Sequence, residues 1–168
     1  MKNPKQISVW SIGSSKSCEQ IFAEAKAAGF DGVELSFGEG ELRENITQEE
    51  CAAIRKLARR MGVELNTLAS GKYWGQSLSD PDDRTRARAV KFLKAHLQAA
   101  AWLGAKTILV IPGAVAVPWE KKPKVVPYAD VWKLATRSIR ACLPTAKKVG
   151  VTIGLENVWN LFLTDPVA

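Results

Sequence analysis

The sequence has little histidine and cysteine, and it lacks the spacings by which most metal and nucleotide sites are recognised. Its 168 residues include one histidine, His96, and three cysteines that lie far apart. No CxxC pair or Cys/His spacing typical of a zinc site occurs, and neither GxGxxG nor GxxxxGK[ST] is present. We therefore expect the cysteines to be buried thiols. His96 falls inside an apolar helical pattern, so we expect it to have no catalytic role.

Long apolar runs are also absent, and the positive charge is not concentrated in one segment. No run is long enough to cross a bilayer, and the stretch 7–12 is too short for a signal peptide. We therefore expect a cytoplasmic protein with no membrane partner. The net charge is +7, but the basic residues are scattered over helical faces that point to solvent, which disfavours nucleic acid as a partner.

Short apolar runs alternate with longer amphipathic stretches along the chain. The short runs predict strands over 7–12, 30–37, 63–68, 107–111 and 151–155. Apolar residues at helical spacing predict helices over 18–28, 48–61, 80–103 and 128–149. Expected N-terminal caps are Ser17 and the Thr47/Glu50 capping box, and Pro81 is expected in the first turn of the third helix. A glycine ends each helix: Gly29, Gly62, Gly104 and Gly150.

This strict alternation of strands and helices indicates a parallel sheet with right-handed crossovers. A doubly wound sheet and a (β/α)8 barrel both fit it. The loops after the third and fourth strands are long and aromatic, as the active-site loops of barrels are, and no nucleotide-binding loop is present. We expect an α/β fold, namely an incomplete (β/α)8 TIM barrel of about five parallel strands and four helices. Residues 1–168 would form one domain, the N-terminal portion of a barrel whose remaining βα units are absent.

The segment 154–163, Gly-Leu-Glu-Asn-Val-Trp-Asn-Leu-Phe-Leu, resembles the strand-end motif of the xylose-isomerase-like sugar phosphate isomerase/epimerase superfamily. It is most similar to the branch of hexulose-6-phosphate isomerases and ketose 3-epimerases. The segments 29–35, 69–74 and 104–113 resemble the same branch, so the similarity covers nearly the whole chain. In that superfamily the glutamate of the motif is a divalent metal ligand, which implies this role, together with a catalytic one, for Glu156.

The resemblance implies Mn2+ or Mg2+ as the cofactor, with Zn2+ or Co2+ as alternatives. It also implies an Asp, a His and a second Glu from later strands as further ligands, and these positions are missing from this chain. Independently of the resemblance, Glu156 follows an apolar strand, where a carboxylate must be paired or bound to a cation. Hard divalent cations take such oxygen ligands. A structural glutamate bonded to loop amides is the alternative interpretation.

Other polar and aromatic residues at strand ends are candidate contacts to a sugar or sugar phosphate. Indole and phenol rings could wall a pocket and exclude water, and amides could bond to hydroxyl groups. Packing of the loops and formation of turns are the alternatives for each of these residues. The candidates are Trp10, Glu34, Tyr73, Trp74, Trp119, Asn157, Trp159 and Asn160.

The resemblance implies isomerisation or epimerisation of a ketose or ketose phosphate by proton transfer through an enediolate. The second carboxylate that this reaction needs is missing, so we expect this chain to be inactive by itself. One alternative is a barrel that cuts DNA at abasic sites, which would use several histidines. Another is a non-catalytic half-barrel that works by association, including self-association into a homo-oligomer through its exposed strand edges.

Overall fold

The computed structural model describes residues 4–165 and contains the predicted alternation of strands and helices. The five strands are β1 (Gln6–Ser8), β2 (Gly32–Ser36), β3 (Thr67–Ala69), β4 (Thr107–Val110) and β5 (Thr152–Leu155). The helices are α1 (Cys18–Ala27), α2 (Gln48–Arg60), α3 (Asp83–Leu103), α4 (Tyr128–Arg140) and α5 (Leu143–Val149). Two 3-10 turns follow strands, at Val9–Ser11 and Gly71–Trp74.

The strands form one sheet in the order β1-β2-β3-β4-β5, and every neighbouring pair is parallel. This is the strand order of a barrel wall rather than of a doubly wound sheet, in which the order reverses. The part of the chain that the structure describes is thus a partial (β/α)8 barrel, as the sequence predicts.

The two faces of the sheet differ in how far other parts of the chain cover them. Residues on one face pack against the helices and are fully buried, as Val33, Ile108 and Val110 show. Consecutive helices contact each other, α1 with α2, α2 with α3 and α3 with α4 and α5, and so form an outer layer. Residues on the other, concave face alternate with these. In β4 the concave residues Thr107 and Leu109 are only half-buried, so the strand is not covered on both sides as its apolar run suggests.

Local capping chemistry explains where the helices start and stop. Ser17 and Thr47 cap α1 and α2, and each forms a complete capping box, the latter with Glu50 as predicted. Gly104 and Gly150 follow α3 and α5 with φ of +88° and +68°, a left-handed conformation that favours glycine. Within residues 4–165 no helix is long and apolar enough to cross a membrane.

Four predicted elements need correction, and the first of them is the third strand, which spans Thr67–Ala69 and not 63–68. The first strand ends at Ser8, and the next residues form a 3-10 turn. The predicted fourth helix is two helices, because Pro144 stands in the first turn of α5 and cannot occupy the interior of a continuous helix. Pro81 precedes the N-cap of α3, Asp82, instead of lying inside the helix.

The three cysteines are buried and free, as predicted. Burial raises the pKa of Cys18 above that of an exposed thiol, and it raises the pKa of Cys51 and Cys142 to about 11. These thiols therefore stay protonated at neutral pH and behave as small apolar side chains.

Candidate functional site

Glu156 lies at the carboxyl end of β5, where barrel enzymes place their catalytic groups. Its backbone N–H donates to the carbonyl oxygen of Val110 at 2.9 Å, which continues the pairing of β5 with β4 by one residue. The backbone of Glu156 is therefore fixed by the sheet, and its side chain is half-buried. The predicted position at the mouth of the partial barrel agrees with this geometry.

The side chain of Glu156 borders a hollow of about 260 Å³ on the concave face. Glu34, which comes from β2, faces the same hollow from the other side. Burial raises the pKa of the Glu156 carboxyl, and the charge of Glu34 raises it further. The remaining lining residues belong to β3, β4 and β5, apart from one that follows Glu156. They are Thr67 of β3, Thr107, Ile108 and Leu109 of β4, Gly154 and Leu155 of β5, and Asn157.

Close packing of β4 against β5 depends on Gly154. A Cβ atom at this position would lie 3.1 Å from the carbonyl oxygen of Ile108 and 3.2 Å from Cγ2 of Thr107. These distances are tighter than ordinary contacts. The absence of a side chain at Gly154 thus keeps the floor of the hollow open.

Three of the predicted tryptophans meet at the same end of the sheet. Trp74 follows β3, Trp119 follows β4 and Trp159 follows β5. The rings of Trp74 and Trp119 are 4.4 Å apart between centroids, and those of Trp119 and Trp159 are 6.4 Å apart, both edge to face. Trp119 and Trp159 keep 54% and 69% of their surface exposed, so indole faces are available to a ligand.

Trp10 does not join this group of rings. Its Nε1–H donates to the carboxylate of Glu39 at 3.2 Å, and the ring lies beside Gly71, in the loop after β3. Trp10 is 47% exposed. It stands at the strand-end side of the sheet, as predicted, but over the first three strands and not beside the other indoles.

The structure places Tyr73 in the core, away from the hollow. The side chain is 2% exposed and its hydroxyl lies 2.9 Å from Nδ1 of His96. Nε2 of His96 lies 3.2 Å from the carbonyl oxygen of Leu68. Tyr73 therefore anchors the loop after β3 to α3, and the expectation that it walls a sugar pocket is corrected. His96 is fully buried, which agrees with its expected lack of a catalytic role.

The two asparagines predicted to contact a sugar behave differently. Asn157 is exposed and borders the hollow, so it is available to a ligand. Asn160 is 1% exposed; its Nδ2 donates to the carbonyl oxygen of Gly113 at 2.6 Å, and its Oδ1 accepts from the backbone N–H of Phe162 at 3.2 Å. Its own carbonyl accepts from the backbone of Val115 at 3.0 Å. Asn160 thus joins the loops after β4 and β5, and the turn-forming alternative is the correct one for it.

Thr67, Thr107 and Gly154 also line the hollow, and none of them is among the contacts that the sequence predicts. Strand alternation could have indicated them, because residues two apart along a strand face the same side of the sheet. Gly154, for example, lies two residues before Glu156. Using that signal requires the register between strands, which a local pattern does not contain.

Metal binding at Glu156 can be tested against the donor atoms nearby. Glu34 and Glu156 offer carboxylate oxygens, which suit hard divalent cations. No group of three or more His, Cys, Asp or Glu side chains that could hold a metal ion occurs within residues 4–165. The described residues therefore do not by themselves fit the divalent metal that the resemblance implies.

Comparison with known proteins defines the class of barrel. The family model described as the xylose isomerase-like TIM barrel matches residues 22–166, most of the chain. The chain therefore belongs to the xylose isomerase-like TIM barrel family.

Particular members of the family resemble this chain over nearly its whole length. L-ribulose 3-epimerase of Mesorhizobium japonicum (strain LMG 29417 / CECT 9101 / MAFF 303099) is 25% identical over 152 residues, which are 89% of this chain and 47% of that protein. A solved structure of L-ribulose 3-epimerase superposes with a TM-score of 0.74 at 25% identity, over 96% of this chain and 53% of that one. D-psicose 3-epimerase with D-tagatose, from Clostridium cellulolyticum H10, gives a TM-score of 0.77 at 19% identity, over 93% and 53%.

These named relatives, to which the chain is similar, are ketose 3-epimerases. The chain spans about half the length of the relatives it matches.

Proposed function

We propose that this chain carries one catalytic carboxylate, Glu156, of an isomerase or epimerase that acts on a ketose. The observation that carries the proposal is the position of Glu156 at the end of β5, beside a hollow of about 260 Å³ that it shares with Glu34. The similarity to ketose 3-epimerases supports the reaction class.

The proposed reaction begins with proton transfer to Glu156. Its carboxylate removes the proton from the carbon beside the ketose carbonyl, and the electrons of that C–H bond form an enediolate. Return of a proton to the opposite face of the same carbon gives the epimer, and return to the neighbouring carbon gives the isomer. We assign that return to a second carboxylate from outside the described residues. Glu34 and Asn157 are the proposed contacts to the substrate in the hollow, and Trp119 and Trp159 the proposed aromatic wall.

A divalent cation, Mn2+ or Mg2+, stays our prediction for the complete site, with Glu156 as one oxygen ligand. The cation would polarise the carbonyl and stabilise the enediolate. Its other ligands would come from outside the described residues, because these contain too few donors near Glu156.

Two measurements test this proposal, the first on the product of the whole reading frame that contains this sequence. Glu156→Gln removes the proton acceptor with little change in shape, and we expect kcat to fall by roughly 10²- to 10⁴-fold. Glu19→Gln is the matched control, since Glu19 lies exposed on α1, and it should leave kcat unchanged. Full activity of Glu156→Gln would contradict the proposal.

The second measurement uses the purified chain of residues 1–168, which we expect to form no epimer. A ketose added in D2O should give neither a new sugar signal nor loss of the proton beside the carbonyl in NMR spectra. Turnover that disappears in Glu156→Gln would disprove the inactivity of this chain while supporting the role of Glu156. Turnover that persists in Glu156→Gln would argue against both.

A second candidate function is association through the open edge of β5. A surface groove of about 850 Å³ runs along this edge, between β5 and α5. Leu143, which lines this groove, is 50% exposed, and β5 lies at the edge of the sheet that the described residues form, where a further strand could pair. A second copy of the chain could cover this edge. Sedimentation analysis should then show a dimer that Leu143→Asp disrupts, and a monomer at all concentrations would refute association.

The abasic-site nuclease alternative finds no support in the site. Such a centre needs several histidines, and the single histidine of the sequence is fully buried in the core.

A further inference from the structure

Another hollow lies at the end of the sheet opposite to Glu156. Its volume is about 310 Å³, at the lower end of the range of small-molecule pockets. Asn66 and Gly104 line it where the chain approaches β3 and β4, so it lies at the amino ends of these strands. Its wall includes the face of α2 that carries Arg55 and Arg59. We call it the amino-end hollow.

The two arginines of the amino-end hollow carry charges that nothing in the described structure neutralises. Arg55 and Arg59 lie four residues apart on α2 and therefore on one face of the helix. Neither guanidinium group has a hydrogen bond or an ion pair with any residue that the structure describes. Like charges at this spacing repel each other. An anion placed between the two groups would turn this repulsion into attraction.

Arg55 is held in place by packing against the end of α3. Its side chain is half-buried, and a Cβ atom added at Gly104, the C-cap of α3, would lie 3.4 Å from its Cδ. The lack of a side chain at Gly104 thus leaves room for the stem of Arg55. A side chain that is already ordered loses less conformational entropy when it binds a ligand.

The nearby carboxylate does not compensate the two arginines. Among the described residues that line the amino-end hollow, Glu64 carries the only carboxylate. Its Oε2 accepts from Nδ2 of Asn66 at 2.7 Å, and it pairs with neither arginine. Two guanidinium groups and one carboxylate give the hollow an excess of positive charge. Guanidinium groups present forks of N–H donors whose geometry matches the oxygen atoms of phosphate.

We propose that Arg55 and Arg59 form a binding site for a phosphate group at the amino ends of β3 and β4. Both guanidinium groups donate hydrogen bonds to the phosphate oxygens, and Leu65 provides apolar surface for an organic group that the phosphate carries. The ligand binds beside the contact between α2 and α3, so it stabilises the folded chain by binding the native state. The site lies at the other ends of the strands from Glu156, and it does not depend on the proposed reaction.

The test is an NMR titration of the chain with inorganic phosphate at neutral pH, with sodium chloride adjusted to keep the ionic strength constant. We expect saturable shifts at Asn66, Gly104 and the side chain of Arg55, with a Kd on the order of 1 to 10 mM. Arg55→Gln and Arg59→Gln should each weaken binding roughly tenfold, because each removes charge-assisted hydrogen bonds. Binding by both variants as tight as that of the parent would overturn the site.

Arg60→Gln is the matched control, because it removes the same charge from the same helix. Arg60 lies outside the amino-end hollow and pairs with Glu19 at 3.8 Å, so the Kd should stay within about twofold of the parent value. Arg55→Lys keeps the charge but loses the fork of donors, and we expect an intermediate affinity. Equal weakening in Arg60→Gln and Arg55→Gln would assign the effect to overall charge and overturn the proposal.

Phenyl phosphate distinguishes a phosphate ester from the free ion as the ligand. Its ring can cover Leu65, so we expect it to bind roughly threefold more tightly than inorganic phosphate. Tighter binding supports an organic phosphate, and weaker binding supports the free ion. Absence of saturable binding by both compounds would overturn the phosphate site.

Thermal unfolding provides a second measurement and tests a purely structural role of the arginines. Phosphate at about ten times its Kd should raise the Tm of the parent by roughly 3 to 6 °C. Because phosphate also stabilises proteins by exclusion from their surface, the relevant quantity is the part of this rise that Arg55→Gln loses and Arg60→Gln keeps. If Arg55 only complements the helix dipole at the end of α3, Arg55→Gln should be less stable yet gain as much from phosphate as the parent. That result would overturn the proposal.

Discussion

His96 makes the stability of the fold dependent on pH in a way that can be calculated. The imidazole ring stacks on Phe37 with centroids 5.3 Å apart and planes at 5°. Its Nε2 faces the carbonyl oxygen of Leu68, which can only accept, so the proton of the neutral ring lies on Nε2 and Nδ1 accepts from the hydroxyl of Tyr73. Burial lowers the pKa of His96 to about 3. The folded chain thus holds the ring neutral at pH values where the unfolded chain protonates it.

The sign and size of the effect follow from proton linkage. Above the unfolded pKa of about 6.5 the ring is neutral in both states, so the titration of His96 costs the folded state no stability. As the pH falls below that value the unfolded state gains a proton and the folded state does not, down to about pH 3. The free energy of unfolding should therefore fall by about 1.4 kcal/mol per pH unit, or roughly 2 to 3 kcal/mol between about pH 6.5 and about pH 4.5.

Urea unfolding at several pH values in this interval measures the effect. His96→Leu lacks the titrating group, so subtraction of its profile removes the contribution of the carboxylates. Tyr73→Phe keeps the buried imidazole and removes only its hydroxyl partner. It should be less stable at every pH by about 1 to 3 kcal/mol, with a pH slope close to that of the parent. Parallel profiles for the parent and His96→Leu would refute the reasoning.

Two further predictions concern single contacts. Asn160→Ala leaves the carbonyl of Gly113 and the N–H of Phe162 without their present partners. It should destabilise the fold by roughly 1 to 3 kcal/mol in urea unfolding and weaken the near-ultraviolet circular dichroism of the Trp119–Trp159 pair; unchanged spectra and stability would contradict the role assigned to it. Thr47→Ala removes the cap of α2 and should cost about 0.5 to 2 kcal/mol by thermal unfolding, whereas Thr47→Ser, which keeps the hydroxyl, should cost less; equal losses in the two variants would count against the capping box.

The helices and their ends could be predicted because their chemistry is local. A hydroxyl three residues before a glutamate or glutamine defines a capping box, and the box occurs at both Ser17 and Thr47. The break between α4 and α5 was also visible locally, since Pro144 lies within the predicted helix 128–149. Apolar periodicity continues through this proline and by itself predicts one helix, although the proline excludes a continuous one.

The site was only partly predictable, because it depends on which strands are neighbours. Glu156 could be located from its own strand and its motif. Tyr73 and Asn160 look like ligand contacts in the sequence, but their partners are His96 and Gly113, which are 23 and 47 residues away. Thr67 and Thr107 become part of a hollow only through the register of β3 with β4. The roles of these residues depend on partners that are distant in the sequence, and neither composition nor residue spacing predicts such partners.

The bond network of Asn160 has a consequence for how this fold can be altered. One side chain holds the loops after β4 and β5 at both of its polar ends, so neither loop can change length or course independently. Transplanting the loop after β4 from a relative with a different loop course would move the backbone carbonyl at position 113 away from Asn160 and release the segment that follows Glu156. We expect functional chimaeras of this barrel to result when both loops are exchanged together. The unit of recombination on this face is therefore the pair of loops.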